Sequence, residues 1–309
     1  MDTEFAAAAE PFRPELLAHC YRILGSIHDA EDLVQETYLR AWRGFGRFEG
    51  RSSLRRWLYK IATMACLTAL ETRSRRPLPS GLGAPSDDHR VAVAPADPSV
   101  AWLQPVPDAL LDPAAVAAGK AGVRLAFIAA LQLLPARQRA VLTLRDVLAF
   151  TTAEVAEILD TTTAAVDSLL RRARTHLAEA GPVEENLAEP DEKTLLDAYV
   201  DAFVRADPDA LVKLLRADVE LEMPPTPTWF TGRPAVVGFL TSRVLREDRW
   251  RLVPTRANGQ PALVEYARAD GGYEAHGVQV LTLIGARIAR ITAFNDPSLV
   301  PTFDLAPAS

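Results

Sequence analysis

Between Arg40 and Arg76 ten basic side chains (Arg40, Arg43, Arg47, Arg51, Arg55, Arg56, Lys60, Arg73, Arg75, Arg76) stand against only Glu49 and Glu71. Five rings, Trp42, Phe45, Phe48, Trp57 and Tyr59, are interleaved with them. Cations of this kind neutralise phosphates while rings stack on unpaired bases, so the pattern suits single-stranded nucleic acid. Trp57, Leu58, Ile61 and Leu70 also fit one helical face, and any single ring serves a core equally well. The density of charge around the rings is what favours binding.

The stretch just upstream, "HDAEDLVQETYLRAW" (residues 28–42), carries the opposite sign. Asp29 is placed to cap a helix, with Glu31 and Asp32 in its first turn, where the helix dipole favours negative charge. Ala30, Leu33, Val34, Thr37, Tyr38, Ala41 and Trp42 recur at helical spacing and predict one buried stripe. Glu31, Asp32, Gln35 and Glu36 fall on the other side, Asp32 and Glu36 one turn apart. Like charges at that spacing destabilise a lone helix, so the cluster suits a basic partner; the alternative is an ordinary solvated face.

A second arrangement lies at "LPARQRAVLTLRDVLAFTTAEVAEILDTTTAAVDSLLRRARTHL". Pro135 can open a helix, and Thr151 with Glu154 has capping-box spacing. After a turn at 160–162, Val166, Leu170, Ala173 and Leu177 form the inner stripe of a further helix. Thr163, Ala164, Asp167, Ser168, Arg171, Arg172 and Arg174 lie outward or at its margins. This is a helix-turn-helix pattern whose last helix fits a DNA major groove, with later arginines on phosphate; a plain three-helix packing unit shows the same periodicity.

These elements need a frame. The 309 residues suffice for two or three domains, and the net charge of −6 argues against a wholly basic nucleic-acid binder while allowing a local basic patch. Cys20 and Cys66 are isolated, so neither a disulfide framework nor a zinc site is indicated. The acidic N-terminus is unlike a signal peptide and no apolar run reaches membrane length, so a cytoplasmic chain without membrane contact is expected. Residues 10–76 read as helices, 77–118 as a Pro-, Gly- and Asp-rich linker in which Trp102 and Leu103 are oddly apolar, and 119–180 as a second helical block. Residues 191–309 change character. Two amphipathic helices, an alternating run at Val219, Leu221 and Met223, and a helix near Pro234 precede strands at "PALVEYAR", "VQVLTLIG" and "RIARITAF". The last two are joined at Gly285–Ala286, and together they predict an α+β domain with a mostly antiparallel sheet.

With these blocks in view, the chain resembles an extracytoplasmic-function sigma factor of the bacterial sigma-70 family, of the subtype with a C-terminal SnoaL-like domain. "DAEDLVQETYLRAW" followed by "SSLRRWLYKIA" is similar to region 2, and "LPARQRAVLTLRDV…AEVAEIL…AAVDSLLRRAR" to region 4. Over 191–309 the likeness rests on element order and "ANGQPA" (257–262). The resemblance implies a multidomain fold: an all-α region 2 bundle (10–76), a linker (77–118), an all-α region 4 helix-turn-helix (119–180) and an α+β cone (191–309). It implies core RNA polymerase and promoter DNA as partners. Asp29, Glu31, Asp32, Gln35 and Glu36 would face the polymerase. Arg51, Ser52, Ser53, Arg55, Arg56, Trp57, Lys60, Arg73, Arg75 and Arg76 would serve the −10 element, and Thr163 to Arg174 the −35 element. Two departures concern promoter sequence: Met64 stands where the family often has Asn, and Asp167 where a basic residue is common.

The residues leave two other readings open. A helix-turn-helix regulator of duplex DNA alone leaves the acidic helix and the arginine–aromatic block unexplained. An enzyme would need its chemistry in the last block, where His276 accompanies Glu222, Glu265, Tyr266, Asp270 and Asp296 with no spacing that a reaction requires. No catalysis, metal or cofactor is therefore expected. An apolar cone lined by Trp229, Phe230 and Tyr266, with His276, would suit a small ligand or docking on the sigma core; an anti-sigma factor is a further candidate partner.

Overall fold

The computed structural model describes residues 2–48, 50, 52–72, 75–111, 122–179 and 192–303. They divide into two units, one formed by residues 1–76 with 110–183, the other by residues 77–109 with 184–309.

The first unit is helical. After α1 (Asp2–Ala9) and α2 (Arg13–Leu24), Ser26 caps α3 (Ile27–Phe45), its hydroxyl accepting from the Asp29 N–H at 3.2 Å. The cap therefore lies three residues before the aspartate expected there, and the Asp29 carboxylate turns to another partner. Ala30, Leu33, Val34, Thr37 and Ala41 are buried, as the stripe predicts; Ile27 joins them, and Tyr38 is half-buried. Trp42 is not: it is 46% exposed. At about 100° per residue the buried line continues from Ala41 to Phe45, which meets Phe5 at 5.2 Å, and Trp42 is carried round to solvent. Ser53 caps α4 (Leu54–Leu70), whose buried face includes Leu58, Tyr59, Ala62, Thr63 and Cys66.

In the same unit follow α5 (Leu125–Gln132), α6 (Ala136–Leu142) opened by Pro135, a π turn at Thr143–Val147, α7 (Thr152–Ile158) and α8 (Thr163–Glu179). The Thr151–Glu154 capping box forms in both directions. Val166, Leu170 and Ala173 of α8 are buried. Two arginines bind this half to the first. Buried Arg139 on α6 donates to the Ile23 carbonyl, to Gln132 Oε1 at 2.7 Å and to the Leu134 carbonyl, while Arg22 donates to the Gly122 carbonyl at 2.8 Å. Carbonyl acceptors without a carboxylate leave both guanidiniums in a poorly solvated site, and burial lowers each to about 10.

The second unit is an α+β cone. α9 (Glu192–Val204), α10 (Pro208–Leu214) and α11 (Arg233–Phe239) accompany a six-stranded sheet. Its strands are β1 (Leu215–Glu222), β2 (Trp229–Thr231), β3 (Trp250–Ala257), β4 (Gln260–Ala269), β5 (Gly272–Ile284) and β6 (Arg287–Phe294), in the order β2-β1-β6-β5-β4-β3. Every pair is antiparallel except β1–β6. β3 shows no strand signal in the sequence because Pro254 interrupts it, and it is tolerated here because β3 is an edge strand. Tyr199, Phe203, Leu221, Phe239, Leu263 and Ile291 lie in the core between helices and sheet.

Of residues 77–118, read from composition as a linker, 77–109 belong to this unit, and 112–118 lie outside the described residues. Their Pro-rich backbone has no regular partner of its own and finds one at both edges of the sheet. Beside β2, Ser86 donates to the Trp229 carbonyl at 2.9 Å and accepts from the Thr231 N–H at 3.1 Å. Beyond the end of β3, Asn258 and Gly259 turn with φ of 56° and 67°, the hairpin conformation that Asn-Gly favours. There the Val106 N–H donates to Asn258 Oδ1 and the Val106 carbonyl accepts from the Asn258 N–H, both at 3.0 Å, while Asp108 accepts from the Gly259 N–H at 2.7 Å. Leu103, which with Trp102 is oddly apolar for a linker, is fully buried.

Candidate polymerase and nucleic-acid interface

On α3 the acidic side chains do not share one fate. Asp29 pairs with Arg76 at 2.6 Å, both side chains 17% exposed. Glu36 pairs with Arg40 one turn on at 2.5 Å. Glu31 is half-buried, and Asp32 and Gln35 are exposed. Leu39 (53% exposed) and Trp42 continue from Asp32, Gln35 and Glu36 at helical spacing, so the outer face of α3 is an acidic strip ending in two large apolar side chains. Sequence reasoning missed that continuation by assigning Trp42 to the core. The signal was present: Leu39 and Trp42 share the spacing of the acids.

The basic, aromatic segment is partly engaged. Arg51 and Arg73 lie outside the described residues. Ser52 is half-buried, and Ser53 is spent on capping α4. Arg55 holds Glu15 at 2.9 Å and lies 4.9 Å from the ring centres of both Tyr59 and Phe150. Trp57 stacks on Phe48 at 4.9 Å, and Phe48 lies parallel to Phe45 at 6.4 Å, giving a half-buried aromatic ladder between α3 and α4. Arg75 is exposed and Arg76 is paired with Asp29. Arg56 and Lys60 point at the helix-turn-helix: Arg56 approaches Glu157 at 3.4 Å and Glu154 at 3.9 Å, and Lys60 meets Asp160 at 2.5 Å. Glu157 and Asp160 were not singled out in the sequence, and Glu154 only as a capping residue; Glu154 and Glu157 lie one turn apart on α7, and Asp160 follows just past its end.

On α8, Thr163, Ala164, Asp167, Arg171 and Arg172 are exposed and Ser168 is half-buried, so the predicted outward face is open to solvent. Arg174 grips Asp146 through two bonds of 2.7 and 2.9 Å. Thr152 Oγ1 lies 3.5 Å from the Asp167 carboxylate.

The pocket predicted in the cone is differently lined. Only His276 of the four named residues reaches the cavity, together with Phe203, Leu221, Met223, Trp250, Glu265 and Gln279 among others. Phe230 is buried in the core against Phe239, and Trp229 is buried with its indole N–H on the Gly83 carbonyl. Tyr266 follows Glu265 on β4 and so turns to the opposite face of the sheet. His276 enters because Glu265 pairs with Gly277 and Tyr266 with Ala275, leaving it as the extra residue of a β-bulge. A side chain at Gly277 would sit 2.1 Å from the Phe294 carbonyl oxygen, so glycine is what permits that close approach.

The structure thus joins a helical unit, with an acidic outer strip and a helix-turn-helix, to an α+β cone. Residues 9–76 match the model of sigma-70 region 2, residues 124–177 that of sigma-70 region 4, and residues 196–291 that of the SnoaL-like domain. The ECF RNA polymerase sigma factor SigG of Mycobacterium tuberculosis is 47% identical, over 98% of this chain and 84% of that protein. SigJ of the same organism is 29% identical over 68% of this chain and 62% of its own length. The crystal structure of SigJ superposes with a TM-score of 0.63 at 24% identity, covering 96% of this chain and 98% of that one, a likeness of fold. The chain belongs to the extracytoplasmic-function (ECF) RNA polymerase sigma factors. No helix among the described residues is long and apolar enough to cross a membrane.

Proposed function

We propose that the chain brings core RNA polymerase to its promoters in the cytoplasm through three separate surfaces, and that its cone domain regulates this in cis without catalysis of its own. The observation that carries the reading is the segregation of chemistry on one helical unit. The outer face of α3 is acidic and apolar, a composition suited to a basic protein surface, whereas the first turn of α4 and the outer face of α8 carry arginines suited to phosphate. In this reading Asp32, Gln35, Glu36, Leu39 and Trp42 meet the polymerase. The Phe45–Phe48–Trp57 ladder with Arg55, Arg56, Lys60 and Arg75 receives the −10 strand, and Thr163, Ala164, Asp167, Ser168, Arg171 and Arg172 face the −35 duplex. Asp29 and Arg76 act as a structural pair, and Arg174 reaches phosphate only by leaving Asp146. Arg56 and Lys60 are held by carboxylates on and just after α7, so binding of the −10 strand exchanges those carboxylates for phosphates.

Regulation in cis is supported by residues 77–109, which lie between the two sigma regions in sequence and are bonded to the cone. A short tether keeps the cone at an effective concentration near millimolar, so a weak contact stays occupied. In vitro transcription with core polymerase, comparing the full chain with one ending at residue 180, tests this. Promoter-dependent transcription should change several-fold on truncation. Equal transcription by both across a range of polymerase concentrations would make the cone an independent module.

A further inference from the structure

The cavity inside the cone has a volume of about 160 Å³ and walls that include Phe203, Leu221, Met223 and Trp250. Its wall holds a chain of three buried polar groups on three elements, Tyr199 on α9, Gln279 on β5 and Glu265 on β4. The Tyr199 hydroxyl donates to Gln279 Oε1 at 2.8 Å, and Gln279 Nε2 donates to Glu265 Oε1 at 2.6 Å. A phenol that donates to the amide oxygen fixes which way the amide faces, so its N–H is committed to Glu265. The second carboxyl oxygen, Glu265 Oε2, is buried and has no partner, although Glu265 is only 3% exposed. Such an oxygen costs free energy until something bonds to it.

We propose that this cavity binds a neutral, ring-sized apolar molecule bearing one hydroxyl group, with that hydroxyl on Glu265 Oε2. A dry cavity of roughly 150 Å³ accommodates benzene, which sets the size. Charge narrows the chemistry: Arg243 and Arg249 also line the cavity and disfavour a cation, while the Glu265 carboxylate disfavours an anion. Burial pushes the Glu265 carboxyl up to about 7, so both of its forms are populated near neutrality. A hydroxyl donates to the carboxylate and accepts from the carboxyl, whereas a carbonyl only accepts and a hydrocarbon does neither.

Titrating the full-length protein with phenol, benzene, cyclohexanone and benzylamine, by calorimetry or ligand-observed NMR, tests the assignment. Phenol should bind at least tenfold tighter than benzene and than benzylamine. Phenol binding should persist between about pH 6.5 and 8.5, whereas cyclohexanone binding should weaken as Glu265 loses its proton. Burial and the nearby Arg249 lower His276, so the imidazole stays neutral in that window; Tyr199, shifted well upward by burial, keeps its proton. Glu265→Leu should remove the preference for phenol over benzene. Glu265→Gln should keep phenol binding and make cyclohexanone binding independent of pH, and Ala293→Leu, which adds volume at the cavity wall, should abolish binding of both. Equal affinity for phenol and benzene, a preference for benzylamine, or phenol binding unchanged in Ala293→Leu would each overturn the proposal. If Glu265→Leu does not fold, the pH profile of Glu265→Gln and the Ala293→Leu variant decide the matter.

Discussion

Replacing Glu157 with Gln and Asp160 with Asn should strengthen binding of single-stranded DNA to the free sigma factor, because both acids hold basic residues assigned to the −10 strand. The choice of residues follows the backbone. Asp160 has φ of 48°, which Asn tolerates, and Gln keeps the helical propensity of Glu157, whereas Glu154 is left intact because it completes the capping box. The Arg56–Glu157 side chains are 24% and 64% exposed and the Lys60–Asp160 side chains 41% and 65%, so these are surface ion pairs worth about 0.2–1 kcal/mol each. Removing both therefore raises the population with Arg56 and Lys60 available by roughly two- to thirtyfold. Fluorescence anisotropy with a labelled −10 oligonucleotide at low salt should show affinity rising within that range. The gap between variant and wild type should narrow as salt screens the pairs, since the Debye length falls to about 8 Å at physiological ionic strength. Unchanged affinity at low salt would refute the claim that Glu157 and Asp160 compete with DNA. An equal rise for a −35 duplex would show a general charge effect instead.

Asp32→Arg combined with Trp42→Ala should weaken binding to core polymerase by about thirtyfold or more without unfolding the protein, since a buried interface tryptophan commonly carries 2 kcal/mol or more; a pull-down titration with circular dichroism as control checks both halves. Arg171→Ala and Arg172→Ala should each lower affinity for all duplex sequences and reduce the slope of log K against log salt by about one, measured by filter binding; a change only in which sequence is bound would reassign the residue to base reading. Burial, with Arg22 and Arg55 nearby, holds the His19 imidazole down to about 3, and its Nε2 lies 2.8 Å from Thr63 Oγ1. The folded state thus resists a proton that the unfolded chain accepts near 6.5, so stability is full above that pH and falls by about 1.4 kcal/mol per unit below it, about 2 kcal/mol by pH 5. Urea titrations at pH 7 and pH 5 should show that loss in the wild type and a smaller one in His19→Gln.

The helices were legible because their apolar positions repeat at 3.6 residues and their ends carry caps: the Thr151–Glu154 box and the Val166–Leu170–Ala173 stripe form as the spacing demands. Charge segregation was equally plain, since sign is a property of residue type. The sequence by itself thus determined the fold class and the two opposed chemistries of the helical unit. Tertiary structure decided what each charge is used for. Asp29 and Arg76 are forty-seven positions apart and Lys60 and Asp160 one hundred apart, and no local pattern joins them. The cone pocket escaped for the same reason. Which of two adjacent residues, Glu265 or Tyr266, faces the cavity depends on strand register, and His276 enters only through a bulge opposite them. Periodicity fixes that neighbours on a strand face opposite ways; only pairing with the next strand fixes which way is in.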